Sequence, residues 1–105
     1  MIDVRITEKD RRTVSLVITG HADSAEWGKD LVCAAASSIS IGLCNAMYEI
    51  CGAENITAEN NRVMIIVDRP DDTTEAVMQT GIIQLKTLRE SYPDFIKIKK
   101  TEVKS

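Results

Sequence analysis

His21 is the only histidine in the chain, and Cys33 follows it twelve positions later. A thiol and an imidazole form a minimal set for acyl transfer. The imidazole takes the thiol proton and later gives it to a departing amine. A spacing of twelve does not force the two side chains together. It allows contact, because the intervening segment must bring the chain from the end of a strand back to the start of a helix. Asp30 stands at the head of a long apolar helical pattern and reads as its N-cap, so Cys33 falls in the first helical turn. There the leading backbone N–H groups lack intrahelical partners and the macrodipole is positive. Both effects stabilise a thiolate, the reactive form of cysteine. The same N–H groups can donate to an oxyanion developing on a bound carbonyl.

The neighbours suit an accessible nucleophile. Ala34, Ala35 and Ala36 keep the helix start uncluttered, and Gly28 gives the preceding loop freedom. Ser37 is four residues after Cys33, one turn along the same helical face. Each of these residues also has a plain structural reading. Cys33, Cys44 and Cys51 share one helical face, which is the pattern of small core residues. His21 reads equally as a hydrogen-bonded loop residue, Asp30 as nothing more than a cap, and Ser37 as a helix residue bonding its own backbone. Trp27 reads either as a loop anchor or as a pocket wall. The rise of about 1.5 Å per residue keeps the three cysteines too far apart for disulfides within one helix. One histidine and three cysteines spread along a helix do not converge on a metal, so no metal or cofactor is expected. The chain has neither a phosphate-binding glycine loop nor a serine elbow.

The elements that must hold these residues follow from periodicity. Residues 2–8 alternate through Ile2, Val4 and Ile6, and residues 13–19 through Val14, Leu16 and Ile18, with a polar turn at 8–12. Two antiparallel strands in a hairpin are predicted. A loop over 20–29 leads into a helix from about Asp30 to Cys51, ended by Gly52. Strands near 55–59 and 62–68 flank an Asn60-Asn61 turn. A second helix runs from Pro70-Asp71-Asp72 to about Ser91, with Ala76, Val77, Ile82, Ile83, Leu85 and Leu88 as its apolar positions and Gly81 as a point of close packing. Pro93 ends it, and residues 95–98 form a last strand. The order ββαββαβ predicts an α+β two-layer sandwich, with two long helices on one face of a mainly antiparallel sheet.

The 105 residues suit one domain, 1–105. A hydrophobic share of 44% with 28% charged residues argues against disorder. The net charge of −3 does not favour nucleic acid as a bulk electrostatic partner. The basic residues Lys97, Lys99, Lys100 and Lys104 read as a solvated strand face and tail. No apolar run is expected to reach the length of about 18 residues that spans a bilayer. Asp3 and Arg5 interrupt any signal-like start. A cytoplasmic location with no membrane partner is therefore expected, and an odd number of cysteines there suggests thiols.

Gly20-His21-Ala22, followed by Gly28-Lys29-Asp30-Leu31-Val32-Cys33-Ala34-Ala35-Ala36-Ser37, resembles the signature of the ribosomal-processing cysteine protease family, Prp. Ile39-Ser40-Ile41-Gly42 with Asn45-Ala46, and Glu90 through Ile96, are similar to further family segments, so the likeness spans nearly the whole chain. The resemblance implies a cysteine endopeptidase that removes the N-terminal extension of a large-subunit ribosomal protein, the twenty-seventh of that series. It implies cleavage after a hydrophobic stretch, a homodimer, and a loop between His and Cys that orders on substrate. By position, the family's histidine is His21, its nucleophile Cys33 and its acidic residue Asp30. Its glycines are Gly20 and Gly28, and its serine is Ser37. Ala22, Trp27 and Ala34 complete the expected substrate-binding set. The chain departs from the family pattern at Ala36, where a larger apolar residue is common. Two rivals predict otherwise: a non-enzymatic ribosome-associated binding module, and a redox-sensing dimer indifferent to His21.

Overall fold

A computed structural model describes residues 1–20, 29–59 and 61–104 of the chain. The elements are β1 (Ile2–Lys9), β2 (Arg12–Thr19), α1 (Lys29–Cys51), β3 (Ile56–Glu59), β4 (Arg62–Ile66), α2 (Asp72–Ser91) and β5 (Ile96–Val103). This is the expected ββαββαβ order. The sheet runs β3-β4-β2-β1-β5. Three of its pairings are antiparallel, and β1 pairs with β5 in parallel from Ile2↔Ile96 to Lys9↔Val103. The sheet is thus mixed, and β5 is twice the length that its apolar residues alone suggested.

The first hairpin turns on Asp10 (φ 51°) and Arg11 (φ 68°), a two-residue connection with both central residues left-handed. Its strands do not alternate simply. Thr7 pairs with Ser15 but Glu8 pairs with Thr13, so Val14 is an extra residue on β2. The bulge moves Thr13, not Val14, to the buried side with Leu16 and Ile18. Burying Thr13 requires partners for its polar atoms. Its N–H donates to Glu75 Oε1 at 2.7 Å, and its hydroxyl donates to Glu75 Oε2 at 3.4 Å. The first turn of α2 is thereby tied to the hairpin, and Arg12 adds an ion pair to Asp72 at 2.5 Å.

Asp71 caps α2 in a reciprocal box. Its side chain accepts from the Thr74 N–H at 2.8 Å, and its own N–H donates to Thr74 Oγ1 at 2.9 Å. The buried stripe of α2 is Thr74, Met78, Gly81, Ile82 and Leu85. Ala76 and Ile83, expected on it, are exposed, because at 100° per residue they fall on the far side of the helix from Met78 and Ile82. In α1 the buried residues Val32, Ala36, Ser40, Leu43 and Met47 recur every three or four positions. Gly52 (φ 66°) ends that helix, its N–H donating to the Tyr48 carbonyl at 3.0 Å. Contrary to expectation, Leu31–Cys51 is long and apolar enough to cross a membrane by length and composition. About a third of it is buried against the sheet and α2.

Two glycines are fixed by space. A Cβ on Gly81 would lie 2.5 Å from Leu43 Cδ2, so the Leu43 side chain of α1 packs directly on the bare backbone of α2 there. Gly20 has φ +99°, and a Cβ there would lie 2.2 Å from the Met1 carbonyl oxygen. Leu43 is a side chain and can give a little, whereas the Met1 carbonyl is backbone and cannot. Gly81→Ala should therefore cost about 1 kcal/mol net, the overpacking exceeding the gain in helix propensity. Gly20→Ala should cost about 3 kcal/mol, combining clash with strain. Urea unfolding of the two variants beside the parent checks both the sign and the order.

Candidate active site

The start of α1 presents Cys33, Ala36, Ser37, Ser40 and Ile41 along one side, at the 3–4-residue spacing of a helical face. Across from them lie Ile2, Ile18 and Gly20 from the ends of β1 and β2. Glu59, Asn61, Arg62 and Val63 of the second hairpin complete the walls. The cleft encloses about 230 Å³. That is below the range of roughly 300–1,000 Å³ typical of pockets that swallow a whole ligand. It suits one or two residues of a chain passing through.

The sheet builds this cleft by pairing. Thr19 is in register with Arg62, and beyond it the Gly20 N–H donates to the Asn61 carbonyl at 3.4 Å. The Ile2 N–H donates to the Phe95 carbonyl at 2.9 Å, holding β1 at the same end. Gly20 itself has a left-handed φ of 99° at the end of the β2 ladder. Gly20, covalently joined to His21, and Cys33 both line this cleft. Ala36 is buried and forms the floor beside Cys33. Ser40 is buried too, but its hydroxyl donates to the Ser37 carbonyl at 3.2 Å, satisfied within its own helix. Glu59 and Arg62 face each other across the β3–β4 ladder, so the rim carries both signs of charge.

The three cysteines occupy different settings. Cys33 is half-buried and packs beside the core while lining the cleft. Cys44 is a core residue whose thiol is pushed up by burial, partly offset by a backbone hydrogen bond. The Cys51 thiol is also pushed up, first by burial and then by the negative charge of Asp71. Neither Cys44 nor Cys51 lines the cleft. The thiol best placed for chemistry is therefore Cys33.

Two sequence expectations change. The helix begins at Lys29, so Asp30 is its second residue and not its cap. Cys33 is then the fifth residue, and its own N–H lies within the helical ladder. The unsatisfied N–H groups lie one turn earlier, in the direction to which helical side chains lean. Ala34 is exposed and does not line the cleft, since it lies about 100° around the helix from Cys33. Ser37 and Gly20 do line it. His21, Ala22, Trp27 and Gly28 lie outside the described residues, as does the side chain of Asp30. Ser40 and Ile41 were readable from helical spacing, seven and eight residues after Cys33. The wall from Glu59, Asn61 and Arg62 was not, because it depends on which strand lies beside β2.

A family model described as cysteine protease Prp matches residues 1–97. The chain is 33% identical over 103 residues to the ribosomal processing cysteine protease Prp of Staphylococcus aureus (strain Mu50), spanning 93% of this chain and 97% of that protein. It is also similar to two crystal structures of the essential ribosomal processing protease Prp from S. aureus. One, in complex with a substrate peptide, has a TM-score of 0.86 at 30% identity, covering 96% of this chain and 100% of the other. The second, with a covalently linked product peptide, has a TM-score of 0.83 at 31% identity and the same coverage. The match over residues 1–97 and the shared fold place the chain in the cysteine protease Prp family.

Proposed function

We propose that this chain is the cysteine endopeptidase that removes the N-terminal extension of the twenty-seventh large-subunit ribosomal protein, with Cys33 as nucleophile and His21 as acid and base. The observation that carries the reading is that Cys33 and Gly20, the residue joined to His21, line the same cleft. His21 takes the Cys33 proton. The thiolate sulfur attacks the scissile carbonyl, and the carbonyl π pair moves to oxygen, where N–H groups of the first turn of α1 receive it. Collapse breaks the C–N bond as His21 protonates the departing amine, leaving a thioester on Cys33. His21 then deprotonates water, which attacks the thioester, and the product acid leaves as the thiol is restored. The family's acidic position is Asp30, one turn before the nucleophile, with the proposed task of orienting His21. The segment over 22–29 is proposed to close on substrate and exclude water. A cytoplasmic homodimer completes the reading.

Incubation with the ribosomal precursor, followed by mass spectrometry of the new N-terminus, tests the activity. Cys33→Ala and His21→Ala should each lower the cleavage rate by about 1,000-fold or more, the scale of losing a nucleophile or its base. A Cys33→Ala protein that cuts as fast as the parent would refute the assignment. A binding module would instead hold the precursor intact, and a redox sensor would ignore the loss of His21.

Alkylation with iodoacetamide gives a second test, because only the thiolate reacts. In the folded chain Cys44 and Cys51 keep their protons above the ordinary thiol range, so their thiolate fraction at neutral pH is low. Peptide mapping at pH 7 should find the label on Cys33 first. Labelling of Cys44 and Cys51 should catch up only as the solution is made alkaline, or on unfolding. Cys44 also sets a sign for stability. Its raised value leaves stability whole below the unfolded thiol range near 8.5 and erodes it as pH climbs through the folded value.

A further inference from the structure

The cleft at Cys33 does not end at Ile41. The same isoleucine lines a second hollow of about 500 Å³, which continues along α1 past Cys44 and Tyr48 and is walled on its other side by Ile56 and Ala58 of β3. Glu54 stands at its far end. The surface is apolar and open: Tyr48 is 63% exposed and Ile41 41%. β3 is the edge of the sheet, so the outer side of its backbone is unpaired by any described strand.

We infer that this trough between α1 and β3 is where the substrate lies on one side of the scissile bond, an extended apolar segment held along the β3 edge. The inference rests on the protease reading, because it takes Cys33 as the point of cleavage. Three observations favour a substrate segment as occupant. The trough is continuous with the cleft through Ile41. It runs alongside a strand edge that can bind an extended chain by strand addition beyond Ile56, whose own N–H is already taken up by the Glu54 carbonyl at 3.0 Å. Its lining is mainly apolar, with Asn45 on the helix side and the Glu54 carboxylate at the end, and so takes aliphatic or aromatic side chains and places a cationic group at Glu54.

Helix rise gives the trough a ruler. Ile41 lies eight residues beyond Cys33, or about 12 Å, and Tyr48 fifteen residues beyond, or about 22 Å. At about 3.3 Å per extended residue, Ile41 meets the side chain roughly four positions from the scissile bond and Tyr48 roughly seven.

Binding of a fluorescent peptide to the full-length Cys33→Ala protein, read by anisotropy, tests this without cleavage. The peptide carries eight apolar-rich residues on each side of the scissile bond and is shortened stepwise from either end. Tyr48→Glu should weaken binding of the full peptide at least tenfold, and Ala58→Glu on the opposite wall should do the same. Shortening one end to about five residues from the scissile bond should abolish the Tyr48→Glu effect while an Ile41→Glu effect persists. Unchanged affinity in Tyr48→Glu and Ala58→Glu, with melting curves like the parent's, overturns the inference. So does a loss independent of peptide length, and so does a switch from dimer to monomer in sedimentation with that same length-independence, which would make the face an interface between copies. If the protein with Cys33 intact fails to cleave while length-dependent binding holds, the protease reading fails and the trough stands. Cleavage with no length dependence gives the reverse.

Discussion

The contact between Gly20 and the Met1 carbonyl decides the geometry of everything at this end of the molecule. It admits no side chain, and the backbone there is left-handed, with φ +99°. Because Gly20 also bonds the Asn61 carbonyl, three strands are held in one place: the start of β1, the end of β2 and the start of β4. The cleft is the space between that junction and the first turns of α1. A change there would move two of its walls at once, while a change in the far half of α1 would leave them in place.

The second constraint is the seating of α1. Val32 and Ala36 are both buried and lie about 100° and 60° around the helix on the same side of Cys33, so the face they form anchors the helix and leaves the thiol at its margin. The thiol is thus held half out of the core by its neighbours. Gly81 brings α2 against Leu43 farther along the same helix and stops it sliding. Full burial of residues such as Met47, Leu16, Ile65 and Leu85, worth about 1.5–3 kcal/mol each, supplies the force behind this placement. Function and stability divide along one helix: the face toward the sheet holds it, and the flank beside that face presents the chemistry.

Much of this was legible in the residues. Alternation marked the first hairpin, the Asn60-Asn61 turn between two strands marked the second, and caps and glycines marked the ends of both helices to within a residue or two. The helical placement of Cys33 beside Ser37 followed from spacing alone. What was not legible depended on contacts between distant segments. The Val14 bulge is stabilised by Glu75, some sixty residues away, and nothing local announces it. Ala76 and Ile83 look apolar enough for a core, but they lie on the side of α2 opposite the stripe that packs inward, and which stripe packs is set by the contacts with α1 and the sheet. The polar half of β5 joins the sheet because β1 offers a bare edge, and Lys99, Lys100 and Glu102 carry no strand pattern of their own. The wall of the cleft formed by Arg62 follows from the strand order, which periodicity does not specify.

The parallel ladder between β1 and β5 joins the first strand to the last. β1 lies inside the sheet, so one of its edges stays bare until residues 96–103 have been synthesised and have left the exit tunnel. Closure of so long a loop is slow compared with hairpin formation. The β1–β2 hairpin and α1 can therefore assemble early, while the lasting fold, and with it a rigid cleft, waits for the tail. A nascent chain that lacks residues 96–103 would leave β1, one wall of the cleft, without its parallel neighbour.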